Sequence, residues 1–439
     1  MMDPSGLPME VFDMVIDHAT KGEHDYKLAK LLYIFSLVSR RWYARVAARL
    51  YSKWYFYTTV HPISSFWKFL RTIICNKHVA ERVHEIRLGF WEERDYTSHK
   101  LTLTESDLVL VQDTIRATGL QQMEKVIIGS LKERDSSALL TLLLAALPNL
   151  RFLEADIEKT DIFFAGLLQI ATKKQWHGKI QPKYTPLYCL REANLTVTEL
   201  IDEASTVNWP YLVFQLPQLR KLNVYNMDTR GASEYSGTIA KSSSTITDLG
   251  ITYTIFSWPL ENSVEFLSFP EKLTKLSITL DSKDQWDAVR LHKDTLKDLY
   301  FCLSKICIYR DNNDNLFSGS MREFRNLKNL GIQAGVLFRL QARFGLSDSL
   351  PPNLASLAIY YGKEELSWNK TLAQCLQEVI KSGTFPYLSD ITFGAEWELA
   401  YGGLDDLFPD EVRRACEETG IVFAIKDVLS GEDLTADQC

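Results

Sequence analysis

The chain is expected to fold as an α/β protein: a short helical module at the amino terminus, then a stack of repeats forming a parallel-stranded arc with helices outside. Three observations predict this. A phrase of the form apolar-x-x-apolar-x-apolar returns along the chain from Val83 to Leu388, and self-similarity at a recurring period is the mark of stacked architectures. The segments between phrases, such as "SSALLTLLLAALPNL" and "LAQCLQEVIKSGTFPYL", carry apolar residues at helical spacing. Ahead of the phrases the pattern differs: Leu31, Phe35, Val38, Trp42, Val46 and Leu50 recur at steps of three or four, which places them on one face of a helix.

In that first segment a second stripe runs beside the apolar one. Arg41, Arg45, Arg49 and Lys53 stand at every fourth position, and they read as a solvated row whose last members complement the helix dipole. The repeats follow. The clear copies are "LRKLNVYN" from Leu219, "ITDLGITY" from Ile246, "LTKLSITL" from Leu273, "LKDLYFCL" from Leu296, "LKNLGIQA" from Leu327, "LASLAIYY" from Leu354 and "LSDITFGA" from Leu388. Looser copies begin at Val83, Met123, Leu150 and Leu190, which makes eleven. The second apolar positions are spaced by 40, 27, 40, 29, 27, 27, 23, 31, 27 and 34 residues. Most of these fall at or somewhat above the period of a leucine-rich repeat, and the two longest imply inserted loops or helices. Alternation within each phrase makes a short strand, and no single unit can bury its apolar face alone, so successive units must stack. Proline stands just before several phrases, as in "LPNL", "LPQL" and "LPPNL", where it stops the preceding helix. The run "PDEVRRACEETGIVFAI" reads as a helix, a glycine stop and a last strand, the cap of the stack.

Composition excludes several classes of function. Among 439 residues 46% are hydrophobic and 24% charged, ordinary values for a folded protein. The net charge of -7 argues against general binding of nucleic acid. Residues 1 to 55 hold eight Lys/Arg and six Asp/Glu, so this segment alone is basic at +2, against -9 for the rest. The opening "MMDPSGLPMEVF" lacks the form of a secretory signal. The longest apolar run, Leu139 to Leu147, is too short to span a bilayer. A soluble cytoplasmic or nuclear protein with no membrane partner is the expectation. The seven cysteines are scattered without a C-x-x-C pair and read as reduced thiols. The sequons at Asn194 and Asn369 matter only in a secreted chain.

No phosphate-loop, dinucleotide, zinc-protease or nucleophile-elbow motif occurs. None of the eight histidines stands at ligand spacing. Cys302 and Cys307 lie on or beyond a repeat strand and read as buried thiols. Adjacent carboxylates in "WEERD" and "GGLDD" diverge and make no acid/base pair. An enzyme, a metal and a cofactor are therefore not expected.

With repeats behind it, the first segment resembles a known family. "LPMEVFDMVIDHA" followed by "LLYIFSLVSRRWYARVAARLYSKWYF" looks like an F-box, with its LP-x-E-[VI] opening, V-S-R-x-W centre and aromatic exit. The whole chain resembles F-box leucine-rich-repeat proteins, especially the divergent fungal type. The resemblance implies a three-helix F-box over residues 1–58 and a leucine-rich-repeat solenoid with its cap over 80–428. Pro8 suits the first turn of a helix, with Leu7, Val11 and Ile16 around it and Leu37, Val38 and Trp42 on the next. In the family such residues partly build the core and partly contact a Skp-type adaptor, which joins the chain to a cullin–RING ubiquitin ligase. The protein would then recruit a protein target and perform no chemistry. The connection "TKGEHDYKLAK" departs from the family in being longer and more charged. A non-catalytic scaffold without a ligase role would have nearly the same sequence.

Residues flanking the inner apolar positions of each phrase point away from the helices and line the concave face. They include Lys221, Asn223 and Tyr225, then Asp298 and Tyr300, then Ser356, Ala358 and Tyr360. Tyr225, Tyr300 and Tyr360 are the candidate target contacts, because tyrosine is enriched at interface hot spots, although tyrosine also simply suits strands. The inserted "KKQWHGKIQPKY" from Lys173 is the next candidate. Because each repeat needs only its neighbours, a chain beginning near residue 60 is expected to fold without the module.

Overall fold

The computed structural model describes residues 9–20, 25–89, 101–133, 137–158, 161–173, 185–198, 209–226, 241–252, 263–280, 283–303, 320–361, 369–395 and 410–427. The chain divides into two compact units, Met1–Asp156 with Gly166–Leu190, and Ile157–Ala165 with Arg191–Cys439.

The first unit opens with three helices, α1 (Met9–Thr20), α2 (Asp25–Val38) and α3 (Arg40–Leu50). The single apolar helix face expected from Leu31 to Leu50 is thus broken in two. Ser39 is the cause: its backbone is extended, and its hydroxyl accepts from the Trp42 N–H at 3.3 Å, capping α3. The module closes on Ile16, Leu32 and Val46, one residue from each helix, with Leu28, Phe35, Trp42 and Leu50 packed around them. Lys53, expected at the end of the basic helical stripe, instead begins a strand.

That strand, β1 (Lys53–Tyr57), pairs in parallel with β2 (Glu85–Gly89), and β2 with β3 (Phe152–Glu158). The sheet therefore starts inside the segment taken for the helical module. The helix Ile63–Cys75 covers β1: the Trp54 ring lies 4.0 Å from that of Phe69 in a stack, and Phe56 meets Phe66 edge-on at 5.2 Å. The phrase from Met123 is not a strand. Glu124–Lys132 is a helix that buries Ile127 and Leu131 and leaves Val126 49% exposed, the four-residue period winning over the apolar-x-apolar one. The apolar run Leu139–Leu147 is a buried helix ending, as expected.

In the second unit the phrases become β4 (Glu192–Thr198), β5 (Lys221–Tyr225), β6 (Asp248–Thr252), β7 (Lys275–Leu280), β8 (Asp298–Leu303), β9 (Asn329–Gln333), β10 (Ser356–Tyr361) and β11 (Asp390–Ala395), followed by β12 (Val422–Asp427). All pair in parallel, and strand order follows chain order. The register places like on like: Leu222, Leu249, Leu276, Leu299, Leu330 and Leu357 are successive partners, and each is buried. Fully burying such a side chain stabilises by about 1.5 to 3 kcal/mol, which fixes the face and hence the register. The cap is present as read, the helix Asp410–Thr419 ending at Gly420 with φ of 75° before β12.

Several repeats are also tied by the residue just ahead of the first apolar position of the phrase. Asn326 donates its amide to the Asp294 carbonyl and Asn353 to that of Arg325, at 2.6 and 2.7 Å. Thr245 and Thr295 reach the carbonyls of Leu219 and Leu273 in the same way. Asn149 does so in the first unit, bonding the Glu81 carbonyl at 2.7 Å. Among the described residues no helix is long and apolar enough to cross a membrane.

Candidate functional site

Two surfaces follow from these elements. The first is on the three-helix module. Its core consumes one stripe of each helix, and a second apolar stripe remains on two of them. On α1 this is Val11, Met14 and Val15; on α2 it is Ile34, Leu37 and Val38, in both cases at the three- and four-residue spacing of one helix face. Met14 is 69% and Leu37 68% exposed. An apolar cluster of this kind, exposed to water, is a candidate contact surface.

Of the two helices presenting it, α1 is tied to α3 by ion pairs. Arg45 meets Asp13 at 3.0 Å, and Arg49 meets Asp17 at 2.5 Å and Asp13 at 3.6 Å. Part of the arginine stripe thus clamps α3 to α1. Exposed pairs of this type contribute little each, but the three link the same two helices. The predicted contact residues separate. Val11, Leu37 and Val38 face solvent, Ile16 is in the core, and Trp42 is half-buried with its ring stacked 5.2 Å from Phe35. Leu7 and Pro8 lie outside the described residues. Met14, Val15 and Ile34 were not singled out from the sequence. The signal for them was available: α2 carries apolar residues at too many positions for one stripe.

The second surface is the sheet face opposite the leucines in the second unit. Its first row alternates in sign, Glu192, Lys221, Asp248, Lys275 and Asp298 on neighbouring strands. Lys221 bonds Glu192 at 2.6 Å. Burial raises the Asp248 carboxyl above the usual range, against the pull of Lys275 and Lys221. The next row is level and polar: Asn223 donates to Asn194 at 2.8 Å and lies over Gly250. Tyr300 lies along the sheet, its ring against Gly331 on one side, with the Lys275 ammonium 5.7 Å from the ring centre. Tyr225 is half-buried, while Tyr360 is only 8% exposed and offers a partner little area. The insert from Lys173 falls outside the described residues beyond that first position.

Among the described residues no three His, Cys, Asp or Glu side chains gather closely enough to hold a metal. Cys302 is buried, 3.6 Å from the Thr279 hydroxyl; Cys307 and the carboxylates of "WEERD" and "GGLDD" are outside the described residues. No family model and no curated protein matches the chain.

Proposed function

We propose that the protein is the target-recruiting subunit of a Skp–cullin–F-box ubiquitin ligase. In this reading α1 to α3 dock on a Skp-type adaptor, the parallel-stranded repeats receive a protein target, and transfer of ubiquitin is carried out by other subunits. The observation that supports it is the second apolar stripe on α1 and α2. The module already has a closed core in Ile16, Leu32 and Val46, so Met14, Ile34, Leu37 and Val38 are not needed to fold it, and their exposure costs solubility without a partner. The kind of partner is taken from the resemblance of the V-S-R-R-W centre and LP opening to an F-box.

The test is co-expression of the full chain with a Skp-type adaptor. The wild type is expected to co-purify as a stable complex. Met14→Asp with Leu37→Asp is expected to abolish the complex while leaving the thermal transition in place, since both side chains are already in water. Trp42→Ala should instead lower stability, by about 2 to 3 kcal/mol for a half-buried stacked ring. Absence of any complex with the wild-type chain would leave a non-catalytic scaffold as the better description.

A further inference from the structure

In each repeat of the second unit two residues separate the first buried apolar position of the phrase from the second. The earlier of the two forms a row of its own at the amino-terminal edge of the strands. Arg191 and Arg220 precede β4 and β5, Thr247 and Thr274 precede β6 and β7, and Lys297 and Lys328 precede β8 and β9. The row is continuous through the backbone. The N–H groups of Arg220, Thr247, Thr274, Lys297 and Lys328 each bond the carbonyl of the residue before them in the row, at 2.8 to 2.9 Å. One step is therefore one strand spacing, about 4.8 Å. Two cations stand one step apart, two threonines follow, and two more cations stand one step apart.

All four cations are exposed, and among the described residues none is in an ion pair. Arg220 spends one N–H on the Thr245 carbonyl at 2.9 Å. Asp298, the carboxylate beside Lys297 in sequence, is bonded by the Asn329 amide. Like charges on neighbouring strands repel, so each pair costs stability that no carboxylate among the described residues offsets by pairing, and this in a chain of net charge -7. The geometry points to this edge as a docking surface for an acidic segment of another protein. A uniform polyanion such as nucleic acid fits less well, because one residue further into the strands the row alternates in sign and presents Glu192, Asp248 and Asp298. A peptide can place its carboxylates in two groups. Arg220 and Lys297 are three steps apart, about 14 Å, which is about four residues of extended chain.

The inference stands apart from adaptor binding, because it can be read on the full chain alone. The probe is a fluorescent peptide Glu-Glu-Ser-Gly-Ser-Glu-Glu, titrated by anisotropy at low and moderate salt, beside its lysine counterpart and a single-stranded oligonucleotide. The acidic peptide is expected to bind and to weaken as salt rises, and the lysine peptide not to bind. Arg191→Glu with Arg220→Glu, or Lys297→Glu with Lys328→Glu, should each weaken it roughly tenfold. Lys68→Glu with Lys132→Glu, on exposed helix positions of the first unit, should leave it unchanged. If a reversed pair shifts the thermal transition, the glutamine pair at the same positions replaces it. The proposal is overturned if the acidic peptide does not bind, if the control pair weakens it equally, or if the oligonucleotide binds as tightly and responds to the same variants.

Discussion

Gly331 lies beneath the ring of Tyr300, so close that a β-carbon there would overlap the ring. The glycine is required by its neighbour rather than by its own backbone angles. Gly331→Ala should push the ring off the sheet and break its approach to Lys275, at a cost of about 1 to 3 kcal/mol, read as a lower melting temperature with increased tyrosine exposure to quencher. His292 is a second determinant at this scale. It is buried, and its Nε2 is 2.6 Å from the Leu267 carbonyl. Burial lowers its affinity for a proton, and that bond only partly restores it. As pH falls below about 6.5 the unfolded imidazole takes a proton that the folded one refuses. Stability should therefore drop through that range and level off once the folded ring also charges. His292→Asn is expected to be less stable at neutral pH but to show a flatter dependence across the same titration.

Among elements, the break between α2 and α3 rests on one hydroxyl. Ser39→Ala removes the bond to the Trp42 N–H and should cost about 1 kcal/mol, measured by chemical denaturation of the full chain. Ten of the eleven phrases became strands because leucines at their inner positions have only one place to go, against the helices. The phrase from Met123 failed because six residues of apolar pattern fit a helix equally well when Ile127 and Leu131 carry the burial. The strand β1 escaped notice because "KWYFY" has no leucine and follows directly on a helix, although its alternation of Trp54 and Phe56 is what a strand requires. The exposed apolar face of the module was half legible. Period alone distinguishes helix faces, but it does not say which apolar face goes inward, so Ile16 and Leu37 looked alike until the core was seen. The edge cations were hidden for another reason. Arg191, Arg220, Lys297 and Lys328 are dispersed over the sequence and become neighbours only when the phrases are laid in register.

For the molecule as a whole, β1 changes where it can be divided. A chain starting near residue 60 lacks Trp54 and Phe56, takes from Phe69 its stack on Trp54 and from Phe66 its edge-on contacts with both rings, and opens the edge of β2. Such unpaired edges aggregate. A chain starting at Ser52 retains β1 and is expected to stay soluble with a cooperative melt, whereas one starting at Ile63 is expected to precipitate or to melt at markedly lower temperature. Circular dichroism and light scattering on the pair distinguish the two.

Each carbonyl at the edge of the second unit serves two donors. The oxygen of Arg220 accepts from Thr247 and Asp248, that of Thr274 from Lys297 and Asp298, and that of Lys297 from Lys328 and Asn329. Linked in this way, neighbouring strands behave differently along different pulling directions. Tension along a strand loads all of its bonds to the next at once, as in a shear joint. Tension that peels one strand from its neighbour loads those bonds one after another, as in a zipper. A pull on this chain would therefore be resisted in the first direction and would part the strands bond by bond in the second.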